Sequence, residues 1–168
     1  METKGFEPHD HTQCIASAMG AAEHLCDEQG LQLTKVRRRV LEILLEKHRA
    51  MGAYEVLDHL REEGLGSQPP VAYRALDFLV SNGLAHRIER LNAFIACVAP
   101  GESHAPTFLI CRGCSSVAET PAWRAGRALR NVASEVGFEV ERVAIEAEGL
   151  CPSCQERPEA LPETEAQA

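Results

Sequence analysis

Two short cysteine pairs, Cys111-Arg112-Gly113-Cys114 and Cys151-Pro152-Ser153-Cys154, constrain this chain more than any other feature. A Cys-x-x-Cys turn, tightened by Gly113 in one pair and Pro152 in the other, lets both sulfurs face one point, so each pair supplies half a tetrahedron. Zn²⁺ takes four thiolates readily, and two such knuckles from separated segments make a closed structural site. The 36 residues between Cys114 and Cys151 leave room for a helix and a strand inside the loop that the metal closes. A redox dithiol is the competing reading, and it needs its first cysteine at a helix N-terminus just after a strand. Cys114 leads instead into Ser115-Ser116-Val117-Ala118-Glu119, which looks extended, and Cys154 leads into a tail containing Glu and Pro.

The chain carries seven cysteines, and an odd count behind a polar start with no apolar signal core argues against a disulfide framework. A cytoplasmic, reducing location is therefore expected. With 168 residues the chain can bury a core without disulfides, and no apolar run reaches the roughly eighteen residues of a membrane span, so no membrane partner is expected. Cys26 falls on the apolar side of a first helix and reads as a buried thiol. Cys14 with His9 and His11 reads either as an adventitious metal group or as part of a frayed terminus.

The pattern along the chain divides it in two. Residues 13–29 favour a helix that Gly30 stops. Thr34 can cap a second helix, on which Val36, Val40 and Leu44 recur at fourfold spacing while Lys35, Arg37, Arg38 and Arg39 line the outer face. A third helix is expected over 53–63. A fourth, capped by Ser67, starts at Pro69-Pro70 and stops at Gly83, with Ala72, Leu76 and Leu79 on its core side and Tyr73, Arg74 and Asp77 on another. Residues 85–89 and 93–97 form a hairpin around Leu91-Asn92. Three helices followed by a hairpin make a winged helix-turn-helix, whose last helix can enter the DNA major groove while the hairpin lies along the backbone. Residues 98–106, with Pro100, Gly101 and Pro106, read as a hinge. Beyond them, strands over 107–110 and 138–147 flank a helix over 123–136. The expected fold is thus α+β: an N-terminal winged helix-turn-helix domain over residues 1–98, a hinge and small C-terminal α/β domain with the four-cysteine zinc site over 99–154, and a disordered acidic tail over 155–168.

Net charge is −8, which excludes a uniformly basic nucleic-acid coat and a polybasic membrane binder. The charge is segregated, however. Residues 31–90 hold ten Lys and Arg against eight Asp and Glu, and each flank sums to −5. A basic helix face is often only solvated, but joined to the helix order and hairpin the run Lys35, Arg37, Arg38, Arg39 favours double-stranded DNA as partner.

Four further metal ligands surround the hinge: His86, Cys97, His104 and Glu119. One ion gathering ligands from both sides of a hinge would fix the orientation of the two domains, which is a switch. A set of two imidazoles, a thiolate and a carboxylate suits Zn²⁺ better than Fe²⁺ or Mn²⁺. Two Zn²⁺ per subunit follow, one structural and one regulatory.

The combination resembles the ferric uptake regulator superfamily, and within it the zinc uptake regulators. The matching segments are Leu33-Thr34-Lys35-Val36-Arg37-Arg38, the stretch Pro69-Pro70-Val71-Ala72-Tyr73-Arg74-Ala75-Leu76-Asp77-Phe78-Leu79, Gly83-Leu84-Ala85-His86, and both knuckles. The resemblance implies a homodimeric, zinc-responsive repressor of zinc uptake genes that binds operator DNA and is not an enzyme. It implies dimerisation through the second domain and structural zinc on Cys111, Cys114, Cys151 and Cys154. It makes His86, Cys97, His104 and Glu119 the regulatory ligands and Tyr73 and Arg74 the DNA-contacting pair. Val36 stands where such proteins usually carry glutamine, and Val71-Ala72 where threonine and valine are common. The alternatives are an iron or peroxide sensor on the same scaffold, a thiol oxidoreductase, and a zinc-ribbon interaction module that binds no DNA.

Overall fold

Helix starts and stops follow local chemistry closely in the N-terminal half. The computed structural model describes residues 11–46, 49–101, 106–121 and 123–156. The expectations for His9, His104, the side chains of His11 and Cys14, and the tail beyond residue 156 lie outside the described residues. Four helices come first: α1 (His11–Glu28), α2 (Lys35–Glu46), α3 (Ala53–Glu62) and α4 (Pro69–Ser81). Thr34 caps α2 as expected, its Oγ1 accepting the Arg37 N–H at 3.4 Å. At α4 the expected Ser67 cap is replaced by Gln68, which makes no side-chain cap bond. Pro69 and Pro70 explain why none is needed, since they bring fixed φ and no orphan N–H to the first turn. Gly83, at φ +69°, reverses the chain after α4, and the Leu84 N–H closes the turn on the Leu79 carbonyl at 2.8 Å.

The helices bury one core built around Val40, Leu44, Val56, Leu60, Leu76 and Leu79, with Met19, Ala22 and Cys26 of α1 packed onto it. The hairpin follows as β1 (Ala85–Ile88) and β2 (Ala93–Ala96), antiparallel with His86 opposite Ile95 and Arg87 opposite Phe94. Alternation places Ala85, Phe94 and Ala96 on one face, where they complete the helical core. The other face presents Ile88 and Ile95 to Phe108, Ile110 and Val117 of the C-terminal half, a second core. Both faces of the hairpin are therefore covered, and what stays exposed is Arg87 and the 89–92 turn.

The C-terminal half contains β3 (Pro106–Cys111), β4 (Val117–Pro121), α5 (Trp123–Glu135), β5 (Ile145–Gly149) and the single-turn α6 (Pro152–Gln155). Its sheet runs β4-β3-β5, antiparallel between β3 and β4 and parallel between β3 and β5, with α5 in the crossover. The expected strand over 138–147 is corrected here. Residues 138–144 find no ladder partner and are mostly exposed, and β5 starts only at Ile145, where the chain comes alongside Thr107. The ladder then ends at Cys111 opposite Gly149, delivering the two knuckles side by side. No helix among the described residues is long and apolar enough to cross a membrane.

Phe108 is 1% exposed at the centre of the second core. Phe108→Ala is expected to lower unfolding free energy by about 3–5 kcal/mol, the usual cost of a buried aromatic cavity. Urea denaturation measures this, and a loss below about 1 kcal/mol would show that the two halves are not packed through this residue.

Candidate metal centres and nucleic-acid face

The sheet ladder builds the first cluster. Cys111 ends β3, Cys114 closes the following turn, and Cys151 and Cys154 bracket the start of α6, so that all four sulfurs lie within 4.8 Å of one another. Cys114 Sγ and Cys151 Sγ are 3.7 Å apart. A tetrahedron with zinc–sulfur arms of about 2.3 Å has edges near 3.8 Å, so the spacing fits a four-thiolate zinc site and far exceeds a disulfide. All four cysteines are free thiols. Burial opposes ionisation of Cys111, but N–H donors from the backbone of Cys151, Cys114 and Gly113 outweigh it and hold the thiol down at about 6. Burial pushes the Cys151 thiol up. The Cys154 thiol is raised as well, first by its hydrogen bond with Cys151 and then by burial. Four thiols crowded this tightly repel as thiolates, and a divalent cation at their centre removes that penalty.

The second cluster joins the two halves. His86 of β1, Cys97 just after β2 and Glu119 of β4 place their ligand atoms within 4.8 Å of one another. Exposures of 8%, 2% and 4% make this a buried group holding a carboxylate, a thiol and an imidazole. Glu119 Oε1 lies 3.3 Å from His86 Nε2, its Oε2 accepts the Val98 N–H at 3.2 Å, and the His86 ring sits 5.4 Å from the Phe108 ring. A buried carboxylate beside a thiol calls for a cation, and the mixed N, S and O donor set suits zinc. His104 lies outside the described residues.

The outward face of α4 carries Tyr73 and Arg74, both exposed, as the helical spacing predicts. Beside them stands Tyr54 of α3, 64% exposed, its ring edge-on to Tyr73 at 6.5 Å. Sequence reading missed Tyr54. An exposed aromatic in the first turn of a short helix was its only signal, and that signal is common.

The basic run of α2 is spent unequally. Lys35 is exposed. Arg37 lies 3.7 Å over the Phe78 ring and donates to the Gln32 carbonyl at 2.6 Å, tying α2 to α4. Arg38 pairs with Glu23 of α1. Arg39 holds Glu42 at 3.2 Å, Glu46 at 2.8 Å and Glu63 through two bonds of 2.7 Å.

The hydrogen bond from Arg39 keeps the Glu63 carboxyl below the ordinary carboxylate range. A depressed pKa contributes stability that is present above the unfolded value and lost as pH falls through the folded one. Glu63→Gln is therefore expected to lower the thermal midpoint at neutral pH, and parent and variant should converge as pH falls below the ordinary carboxylate range. A pH-independent gap would show that the carboxylate charge is not what the pair uses.

Compared with known proteins, residues 28–148 match the ferric uptake regulator family. The zinc uptake regulation protein of Escherichia coli (strain K12) is 34% identical over 139 residues, covering 82% of this chain and 81% of that protein. A solved zinc uptake regulator complexed with zinc and DNA superposes with a TM-score of 0.82 at 33% identity, over 86% of this chain and 97% of the other. Holo XcZur, 39% identical, gives 0.76 over 83% and 98% of the two chains. The apo form of XcZur, at the same identity over 85% and 99%, gives 0.50.

Proposed function

The chain belongs to the ferric uptake regulator family, and from that premise we propose that it is a zinc-responsive, DNA-binding transcriptional repressor of zinc uptake genes. The family regulates transcription, which sets aside the thiol oxidoreductase reading. On this proposal the protein acts in the cytoplasm as a homodimer on double-stranded operator DNA. Residues 1–98 read DNA, residues 99–154 dimerise and bind metal, and the remainder is an acidic tail.

One observation carries the reading: His86 and Cys97 from the hairpin meet Glu119 from the C-terminal sheet in a single buried cluster. The three can share an ion only when the hairpin lies on the sheet as it does here. A ligand shifts a conformational equilibrium only by binding one state more tightly, and these ligands are complete only in the closed state. The holo and apo scores support this, because the arrangement of this chain follows the holo form of XcZur. Zinc held there supplies positive charge that offsets the Cys97 thiolate and the Glu119 carboxylate. His104 is the proposed fourth ligand. Cys111, Cys114, Cys151 and Cys154 hold the second, structural Zn²⁺, giving two per subunit. The thiolate in the hinge set disfavours the iron-sensor alternative.

The remaining steps belong to the protein. Closure fixes β1 on the sheet, β1 packs on α4, and α4 carries Tyr73 and Arg74 towards the major groove with Tyr54 beside them. Arg74 can hydrogen-bond guanine edges or phosphate, and Tyr73 can contact a thymine methyl or phosphate. Lys35 supplies positive charge near the backbone, and Arg37, Arg38 and Arg39 add to it in an amount reduced by their partners within the fold. Two such helices in a dimer read half-sites about 34–36 Å apart, one helical turn of DNA.

Cys97→Ala should abolish zinc-stimulated operator binding, measured by fluorescence anisotropy in zinc buffers, yet leave a folded dimer by light scattering. A normal zinc response in that variant would remove Cys97 from the sensing role. Cys111→Ala should instead lose the zinc that survives dialysis against chelator and should unfold or monomerise the second domain. Native stability with full metal content would contradict the structural assignment.

A further inference from the structure

One row of side chains crosses the C-terminal sheet and meets the hairpin at three points. In register, Glu119 of β4 lies beside Phe108 of β3, and Phe108 lies beside Glu146 of β5. Residues paired across strands project to the same face, and this face carries the hairpin. At one end Glu119 reaches His86 and the Val98 N–H. In the middle Phe108 packs with Ile88 and Ile95. At the other end Glu146 reaches the hairpin turn, where the Glu89 N–H donates to one carboxylate oxygen at 2.7 Å and the Arg90 N–H to the other at 3.0 Å. The Arg90 side chain folds back onto Glu148, two residues further along β5.

The N–H groups of a hairpin turn ordinarily face water. A carboxylate that accepts two of them from another part of the fold makes charge-assisted bonds stronger than neutral ones. Glu146 lies outside both groups of clustered metal ligands, so the attachment itself uses no metal. We infer that Glu146 is a positioning residue, a metal-independent latch that holds the hairpin turn on the C-terminal sheet and so sets how much zinc the hinge site needs. The inference rests on the zinc-responsive reading above. The latch favours the closed arrangement before metal arrives, and apparent affinity scales with the fraction of molecules already competent to bind. Losing the latch therefore weakens zinc binding at the hinge site, while the closed state itself stays reachable at high zinc.

The test uses the full chain and zinc alone as the probe, with affinity read by competition against a chromophoric chelator. Glu146→Ala should weaken the second, exchangeable zinc by about tenfold, the scale of losing hydrogen bonds to a charged group at a partly exposed position. The tightly held first zinc should stay at one equivalent. Glu146→Gln keeps a carbonyl acceptor without the charge and should fall between parent and alanine variant, which also covers an alanine variant that folds poorly. Amide exchange read residue by residue should show the Glu89 and Arg90 N–H groups protected in the parent and faster in the alanine variant, a change that general destabilisation would not confine to these two groups. A second-site affinity within about twofold of the parent, well short of the tenfold step that 1.4 kcal/mol represents, overturns the latch. So do unchanged Glu89 and Arg90 exchange rates. The two failures separate cleanly: a parent that takes up only one zinc removes the regulatory reading and the latch together, whereas two zincs with an unaffected variant remove the latch alone.

Discussion

The covering of β1 and β2 on both faces is the constraint from which the other features follow. Each strand is only four residues long, and a short two-stranded hairpin is marginal alone in water. Here Phe94 and Ala96 belong to the helical core and Ile88 and Ile95 to the core under the sheet, so the hairpin is shared between two hydrophobic units. Shared burial makes it the mechanical link between α4 and β3. Any rotation of the C-terminal sheet against the helices must strip apolar surface from one side of the hairpin, which favours discrete arrangements over continuous bending.

That placement sets the two clusters of candidate metal ligands in different mechanical positions. The four sulfurs come from the ends of β3 and β5 and from the turn and single-turn helix after them, so the cluster closes one sheet on itself. His86, Cys97 and Glu119 straddle the boundary between hairpin and sheet. On the proposed reading, identical physics, a cation offsetting crowded anionic ligands, would give a fold staple in one place and a conformational constraint in the other. The difference lies in which elements own the ligands.

How much of this was legible in the sequence depends on the range of the interaction. Thr34, Gly83 and the paired prolines of α4 act over a few residues, and the spacing of Leu76 and Leu79 identified the buried face of that helix. The four cysteines were legible because Cys-x-x-Cys is a local geometry repeated, and residue type and position singled out His86, Cys97 and Glu119, which the fold brings together. Two features were not legible, and a third was signalled without being part of the expected hairpin. The strand expected over 138–147 depended on a ladder partner, and pairing is non-local: the segment stays irregular until it meets Thr107. The two-sided burial of the hairpin was signalled by the unbroken apolar run Ala93-Phe94-Ile95-Ala96, since one solvated face would have required a polar residue at every second position. Glu146 carried no signal, because a lone glutamate in a strand is ordinarily solvated, and its partners are backbone groups 56 and 57 residues away.

Charge tells a related story. The central block is net positive by only two, and its arginines are largely committed within the fold: Arg39 to three carboxylates, Arg38 to α1, Arg37 to the Phe78 ring and the Gln32 carbonyl. Phosphate attraction grows with the number of cationic contacts, so a block that spends its arginines on helix packing makes a weak non-specific DNA binder as a single copy. The acidic flanks lower that attraction further at distances within a Debye length. On the proposed reading, affinity then comes from holding two α4 helices at the separation of successive major grooves, where the second contact becomes intramolecular and needs no extra charge. Low intrinsic attraction is what makes geometry decisive, and the geometry is governed by how the hairpin sits on the sheet.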